Sequence, residues 1–106
     1  MVEWRRACGR SDVKEDAPLG IEIDGKPIGI FCTEGEFFAI EDVCSHEFAL
    51  LSGGYQEGDT IECPLHQALF NIKTGEHLTE PATCGVKTYP VRVEGEDIFV
   101  DIAETI

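Results

Sequence analysis

The sequence predicts a small all-β protein, either a sandwich or a barrel. Dipeptides that end in glycine and are typical of turns recur at short intervals along the 106 residues. Between them lie short runs in which Ile, Val and Phe alternate with other residues, the period-two pattern of strands. The two observations together indicate strands joined by hairpins. The turn dipeptides are Asp24-Gly25, Glu34-Gly35, Gly53-Gly54, Glu57-Gly58, Thr74-Gly75 and Glu94-Gly95.

The first half of the chain contains three alternating runs in succession. Isoleucines flank Glu22 in the first run and Gly29 in the second, and Phe38 and Ile40 form the third. We expect Asp24-Gly25 to be the tight turn between the first two runs. Before these runs, only residues 10–16 predict a helical turn, with Ser11 as its N-cap.

The C-terminal part of the chain predicts one further hairpin. The runs 89–93 and 98–102 alternate in the same way, and Glu94-Gly95 lies between them. Pro90 interrupts the first run, and proline cannot donate to a strand ladder. That strand is therefore expected at a sheet edge or at a bulge.

Residues 43–81 differ from both halves because they are rich in Gly, Ser and acidic residues. They contain only two short strand-like pieces, 59–63 and 68–72. A segment with so little regular structure needs something to fix its backbone polar groups, and a bound metal would do this. We therefore predict one domain, 1–106, in which a subdomain of about 43–81 is inserted into a β base formed by 1–42 and 82–106.

Charge and composition exclude several classes of function. The formal charge is −13, from 21 acidic against 8 basic residues. Such a charge repels nucleic acid and anionic lipid and favours basic protein surfaces, although acidity also serves solubility alone. No apolar run reaches the roughly 20 residues of a membrane span. Arg5-Arg6 precedes a polar stretch instead of the apolar core of an export signal, so we expect a cytoplasmic protein.

Two matched Cys/His pairs are the strongest signal for chemistry. Cys44-x-His46 and Cys63-Pro64-x-His66 are separated by sixteen residues. The five cysteines form no regular disulfide framework, which favours thiolates bound to metal in a reducing compartment. Zinc accepts two Cys and two His, but zinc fingers usually pair like with like. A Rieske [2Fe–2S] cluster needs this mixture, because one iron takes two Cys and the other takes two His.

The chain resembles the soluble Rieske ferredoxins that serve bacterial aromatic-ring-hydroxylating dioxygenases of the biphenyl and naphthalene type. The resemblance lies in the four residues above and in "LSGGYQEGDTIECPLHQALFNIKTG". It implies a Rieske-like β-sandwich or barrel whose small subdomain binds one [2Fe–2S] cluster with two loops. Cys44 and Cys63 would hold the inner iron and His46 and His66 the outer iron, with Pro81 in a covering loop.

The resemblance also implies the function. The protein would carry single electrons from a reductase that uses FAD and NAD(P)H to a terminal oxygenase, and it would act as a monomer. It would not be the enzyme, because a mononuclear iron site needs two His and a carboxylate, and only His77 remains after the cluster is built. Two alternatives stay open: a Rieske-like small subunit of nitrite reductase, and a zinc-stabilised interaction module.

Four positions predict a low reduction potential. Respiratory Rieske proteins resemble a variant of this pattern that has an extra Cys in each loop, joined as a disulfide, and a Ser and a Tyr near the second His. The matching residues here are Ala49 and Leu65, which cannot form a disulfide, and Ala68 and Phe70, which have no hydroxyl group. Hydrogen bonds to sulfur stabilise the reduced cluster, so their loss lowers the potential toward the bottom of the range of about −150 to +300 mV. Glu47 replaces a glycine that is usual in these ferredoxins, and its carboxylate would act in the same direction.

The remaining candidates receive structural interpretations. Cys8, Cys32 and Cys84 are expected to be small core residues. Trp4 and the six Phe are also expected in the core, although Phe48 and Leu50 could shield the cluster or form an apolar rim for docking. His77 is expected on the surface without a special role.

Overall fold

The computed structural model describes residues 2–43, 50–64, 68–78 and 85–103. Its described part is built of antiparallel strands, and none of it forms a helix long and apolar enough to cross a membrane. The predicted all-β class is confirmed. The strands are β1 (Trp4–Gly9), β2 (Leu19–Ile23), β3 (Lys26–Thr33), β4 (Glu36–Glu41), β5 (Tyr55–Glu57), β6 (Thr60–Glu62), β7 (Leu69–Asn71), β8 (Thr88–Tyr89), β9 (Val91–Glu94) and β10 (Asp97–Asp101).

The strands form three sheets. The order is β2-β3-β4-β8 in the four-stranded sheet, β1-β10-β9 in the second and β5-β6-β7 in the third. The third sheet, with the turn that precedes it, lies within the predicted subdomain. The boundaries of that subdomain at 43 and 81 stay a prediction.

The predicted hairpin turns are confirmed by backbone conformation. Asp24 and Gly25 have φ of 51° and 79° and join β2 to β3, where Ile23 pairs with Lys26. Two successive residues at positive φ match the twist of the flanking strands, as in a type I′ turn. The turn between β9 and β10 has Gly95 at φ 61°, between Glu94 and its partner Asp97.

Pro90 lies where the chain changes sheets. The run 89–93 does not form one strand: β8 ends at Tyr89 in the four-stranded sheet, and β9 begins at Val91 in the sheet of β1 and β10. Both β8 and β9 are edge strands, so the expected edge position is confirmed. The Pro90 carbonyl accepts a hydrogen bond from the Asp101 amide at 3.0 Å, which holds the corner to β10.

The predicted helical turn over 10–16 is wrong in extent and in its cap. A 3₁₀ turn covers only Arg10–Asp12, and its N-cap is Gly9 instead of Ser11. The Asp12 carboxylate accepts a hydrogen bond from the Gly9 amide at 2.9 Å. Val13 then turns inward and is buried, which ends the helix after a single turn.

β3 and β4 separate two hydrophobic clusters. Ile28, Ile30 and Ala39 face the cluster shared with β1 and β10, which also contains Cys8 and Cys32 as predicted. Cys84, the third predicted core cysteine, is outside the described residues. The alternate residues of β3 and β4 face a second cluster beneath the β5-β6-β7 sheet. The second cluster comprises Phe31, Ile40, Leu51, Ile61, Cys63, Ala68, Phe70, Ile72 and Val86.

The aromatic residues follow the prediction only in part. Phe31 and Phe70 are fully buried, whereas Phe37 and Phe38 are partly buried against the two clusters. Trp4 is half-buried and outside both clusters: the Arg92 guanidinium lies 4.7 Å from its ring centroid. Its expected core position is therefore wrong, because the indole covers a charged side chain at the surface.

Candidate metal centre

The β5-β6-β7 sheet has one end at which three chain segments converge. At this end Tyr55 pairs with Glu62, and Glu62 pairs with Leu69. The next residues beyond the strands are Gly54 before β5, Cys63 after β6 and Ala68 before β7. The predicted ligands lie in or beside the segments that leave from there. Cys63 is within the described residues, whereas Cys44, His46, His66, Glu47 and Pro81 are outside them.

The first segment, residues 44–49, has both ends anchored. Val43 and Leu50 form an antiparallel bridge, and the Leu51 amide donates to the Asp42 carbonyl at 2.7 Å. A 3₁₀ turn over Leu51–Gly53 then leads into β5. The described residues on either side of the span 44–49, which carries Cys44 and His46 in the sequence, are therefore held close together.

The described residues that flank the second segment, 65–67, are also joined by a backbone hydrogen bond. The Cys63 amide donates to the Ala68 carbonyl at 2.7 Å, which joins the end of β6 to the start of β7. Cys63 is fully buried in the second hydrophobic cluster, beside Ile61 and Phe70. A ligand at this position is shielded from water.

The third segment, residues 79–84, also returns to this end. Phe70 and His77 form an antiparallel bridge and the Leu78 amide donates to the Leu69 carbonyl at 2.7 Å, so the chain leaves beside Ala68. The Val86 amide donates to the Gly75 carbonyl at 2.7 Å where the chain returns. The described residues before and after the span 79–84, in which the sequence predicts the covering loop with Pro81, are thus held by backbone hydrogen bonds.

Gly54, which precedes β5, passes close to the backbone at the end of β6. A Cβ at Gly54 would lie 1.8 Å from the Glu62 carbonyl oxygen and 3.2 Å from Pro64 Cδ. Only glycine, which has no side chain, lets the chain before β5 pass this close to the end of β6. The close approach brings the bases of the two predicted ligand loops together.

Ala68 and Phe70, the two residues without the hydroxyl groups of respiratory Rieske proteins, lie close to Cys63. Ala68 and Phe70 are fully buried in the same cluster as Cys63. Neither side chain can donate a hydrogen bond to a sulfur atom. This burial supports the predicted low potential, whose value stays a prediction.

Asp42 is a site residue that the sequence did not single out. Its side chain is 1 % exposed, and its carboxylate accepts hydrogen bonds from the Ser52 amide and the Ser52 hydroxyl, both at 2.7 Å. Burial raises the pKa of this carboxyl, and the two hydrogen bonds from Ser52 partly oppose the rise. The pair Gly20 and Gly29, on adjacent strands, was the available signal, because glycines in strand interiors mark close approach.

Of the two residues predicted to shield the cluster or form an apolar rim, Leu50 is exposed, whereas Phe48 lies outside the described residues. Leu50 is 54 % exposed and Leu78 is 47 % exposed, each beside the end of a loop. His77 is exposed, which confirms its surface position. Within the described ranges no three His, Cys, Asp or Glu side chains form a group that could hold a metal, as expected when three predicted ligands lie outside them.

Comparisons with known proteins identify the family. Residues 3–90 match the model of the Rieske [2Fe-2S] domain. The chain belongs to the Rieske family. The residue types predicted from the sequence agree with this, because two Cys and two His are the donors of a Rieske cluster. The predicted cofactor, one Rieske-type [2Fe–2S] cluster, is confirmed at the level of the family.

Relatives within the family are electron-transfer components. The chain is 53 % identical over 100 residues to the 3-phenylpropionate/cinnamic acid dioxygenase ferredoxin subunit of Escherichia coli (strain K12), covering 92 % of each chain. It is 41 % identical over 102 residues to the naphthalene 1,2-dioxygenase system ferredoxin component of Pseudomonas putida, covering 96 % of this chain and 98 % of the relative. The predicted resemblance to dioxygenase ferredoxins is confirmed, as is the prediction of an electron carrier instead of an enzyme.

A solved structure extends the likeness to the fold. The complex of reduced oxygenase and oxidized ferredoxin in carbazole 1,9a-dioxygenase contains a chain that superposes with a TM-score of 0.90. The sequence identity is 31 %, with 97 % of this chain and 96 % of that chain covered. The Rieske-like fold predicted from the sequence is therefore confirmed.

Proposed function

We propose that Cys44, His46, Cys63 and His66 bind the Rieske cluster, with the thiolates on one iron and the imidazoles on the other. The observation that carries this proposal is the convergence of the anchored loop ends beside the buried Cys63. The described residues that flank each Cys/His pair are joined by backbone hydrogen bonds, which supports binding of one cluster by both pairs. When bound, the cluster takes up and releases one electron.

The chain's own residues control how the site meets water and its partners. Burial of Cys63 among Ile61, Ala68 and Phe70 excludes water on the protein side of the site. The histidines follow the cysteines in their loops and would face outward, toward a partner. The absence of hydroxyl donors at Ala68 and Phe70 keeps the potential low, which suits a carrier that receives electrons from a flavin.

We further propose that the protein passes electrons from a flavin-dependent, NAD(P)H-linked ferredoxin reductase to the terminal oxygenase of an aromatic-ring-hydroxylating dioxygenase. The relatives named above are components of such dioxygenase systems, and they match nearly the whole chain. The solved complex shows that a ferredoxin with this fold meets an oxygenase directly. The protein would work as a cytoplasmic monomer, because a shuttle must leave one partner to reach the next.

Charge supports encounter with basic partner surfaces. The formal charge is −13, and several of the few cations are already engaged. Arg5 pairs with Glu3 and Asp24, Arg6 with Asp97, and Lys73 with Asp59. The acidic surplus is left to face a partner, and interactions of this kind raise association rates more than affinity.

The test of the ligand set is electron paramagnetic resonance (EPR) of the reduced protein together with iron and sulfide analysis. A reduced signal with low average g, lost or altered in Cys44→Ser, Cys63→Ser and His66→Ala, is expected. His77→Ala is the matched control, because it removes an exposed histidine near the same loops. A variant of Cys63 that keeps the full signal and iron content would show that the assignment is wrong.

The test of the carrier function is electron flow from NAD(P)H through a dioxygenase reductase to a terminal oxygenase. Turnover of the oxygenase should depend on this protein and fail with the Cys63→Ser variant. The nitrite reductase alternative predicts instead that no dioxygenase reductase reduces the protein. The zinc alternative is set aside, because the chain belongs to a family defined by its iron–sulfur cluster.

A further inference from the structure

Asp42 is placed to join the two sides of the first ligand loop. It follows β4 and precedes Cys44 by two residues, while Ser52 lies on the returning side of the loop. The Asp42 carbonyl accepts from the Leu51 amide, Oδ1 accepts from the Ser52 amide, and Oδ2 accepts from the Ser52 hydroxyl, each at 2.7 Å. Three hydrogen bonds thus cross the base of one six-residue span.

The sheet below is shaped to receive this group. Gly20 and Gly29 pair across β2 and β3, directly under the carboxylate. A Cβ at Gly20 would lie 2.5 Å from Ser52 Oγ and 2.8 Å from Asp42 Oδ2, and a Cβ at Gly29 would lie 2.9 Å from Asp42 Oδ1. Neither glycine has a positive φ, so their need is for space and not for conformation.

Burying this carboxylate is costly for stability. The side chain is 1 % exposed, and its described donors are an amide and a hydroxyl, with no cation among them. An apolar residue would fill such a position without the desolvation penalty of a charge. Retention of a buried carboxylate is better explained by the fixed geometry that it imposes on the loop.

We propose that Asp42 and Ser52 form a clamp that positions the first ligand loop, so that Cys44 and His46 are presented to the cluster in one fixed direction. The clamp is defined as the Asp42 carboxylate, the amide and hydroxyl of Ser52, and the Gly20–Gly29 pair beneath them. Asp42 and Ser52 are positioning residues that act through the ligands. This inference rests on the ligand set proposed above.

The test compares three clamp variants with one matched control. Ser52→Ala removes the hydroxyl bond and keeps the Asp42 side chain, Asp42→Asn keeps one acceptor, and Asp42→Ala removes both carboxylate bonds. Asp101→Ala is the control: Asp101 is 6 % exposed and its carboxylate accepts from the Glu3 and Ala103 amides at 2.8 and 3.0 Å. It lies on β10, outside the small sheet.

Two readouts separate positioning from general stability: the g-values and line width of the reduced EPR signal, and the rate of iron release to a chelator. Asp42→Ala and Ser52→Ala should shift or broaden the signal and speed iron release by about 10-fold or more, the scale of one hydrogen bond to a charged group. Asp42→Asn should fall between wild type and Asp42→Ala. Asp101→Ala should lower the urea midpoint yet keep the wild-type spectrum.

The outcomes are distinguishable. A wild-type signal and iron-release rate in Ser52→Ala, or equal changes in Asp101→Ala, would overturn the clamp and leave the ligand set standing. If Asp42→Ala does not fold, Ser52→Ala and Asp42→Asn decide the question. A wild-type protein without a Rieske signal would overturn the ligand set first, and the clamp with it.

Discussion

Gly54→Ala should be the most damaging single-methyl change beside the proposed metal centre. The new Cβ would lie 1.8 Å from the Glu62 carbonyl oxygen and 3.0 Å from its carbon, whereas real Cβ atoms essentially never come within 3.0 Å of such atoms. The contacted atoms belong to the backbone at the end of β6, the central strand of the small sheet, so no flexible side chain can move away. Either β5 or β6 must shift by about 1 Å, at a typical overpacking cost of about 1–3 kcal/mol.

The assay is urea unfolding followed by far-ultraviolet circular dichroism, together with iron content after purification. With a dependence of about 1–3 kcal/mol per molar urea, that cost lowers the midpoint by roughly 1 M. Iron content should fall as well, because the shift separates the bases of the two ligand loops. Gly53→Ala is the control, since a Cβ there has nothing within 4 Å and Gly53 has no positive φ. Equal midpoints and equal iron in the two variants would refute the reasoning.

Three further predictions concern charge and thiols. Hydrogen bonds from the Glu3 and Ala103 amides lower the pKa of Asp101, so its contribution to stability is present above its unfolded pKa of about 3.9 and lost as pH falls. Asp101→Asn should therefore destabilise the protein at pH 7, with a difference from wild type in urea midpoint that shrinks below about pH 4; a difference independent of pH contradicts this. Raising the salt concentration above about 0.15 M should slow electron transfer from the reductase, because screening removes the attraction of the −13 charge; unchanged turnover would exclude steering. Burial raises the pKa of the Cys8 and Cys32 thiols, so peptide mass spectrometry should find them alkylated by iodoacetamide far more slowly in folded protein than in urea, and equal rates would contradict their buried positions.

The predictions that came directly from the sequence were those governed by local chemistry. Asp24-Gly25 predicted a hairpin because few dipeptides accept two successive positive φ angles. Pro90 predicted an edge position because it lacks an amide donor. The two Cys/His pairs predicted the iron–sulfur family because few metal sites combine those donors at that spacing.

Other features depend on partners distant in the chain, which a local pattern does not specify. The alternation in β3 and β4 predicted strands, but not that both faces are buried between two hydrophobic clusters. The helical turn assigned to 10–16 stopped at Asp12 because tertiary packing takes Val13 into the core. The apolar character of Trp4 predicts a core position, whereas Arg92 on β9 provides a surface partner for its ring.

The sequence by itself determined the strands, the turns and the residue types that can bind a two-iron cluster, because each depends on neighbours within a few positions. Tertiary structure alone decided that the bases of three loops meet at one end of a small sheet, with Cys63 buried beside them. It also decided that Asp42 and Ser52 meet above Gly20 and Gly29, which lie on two other strands. Such contacts arise only when sheet register and layer packing bring separate parts of the chain together.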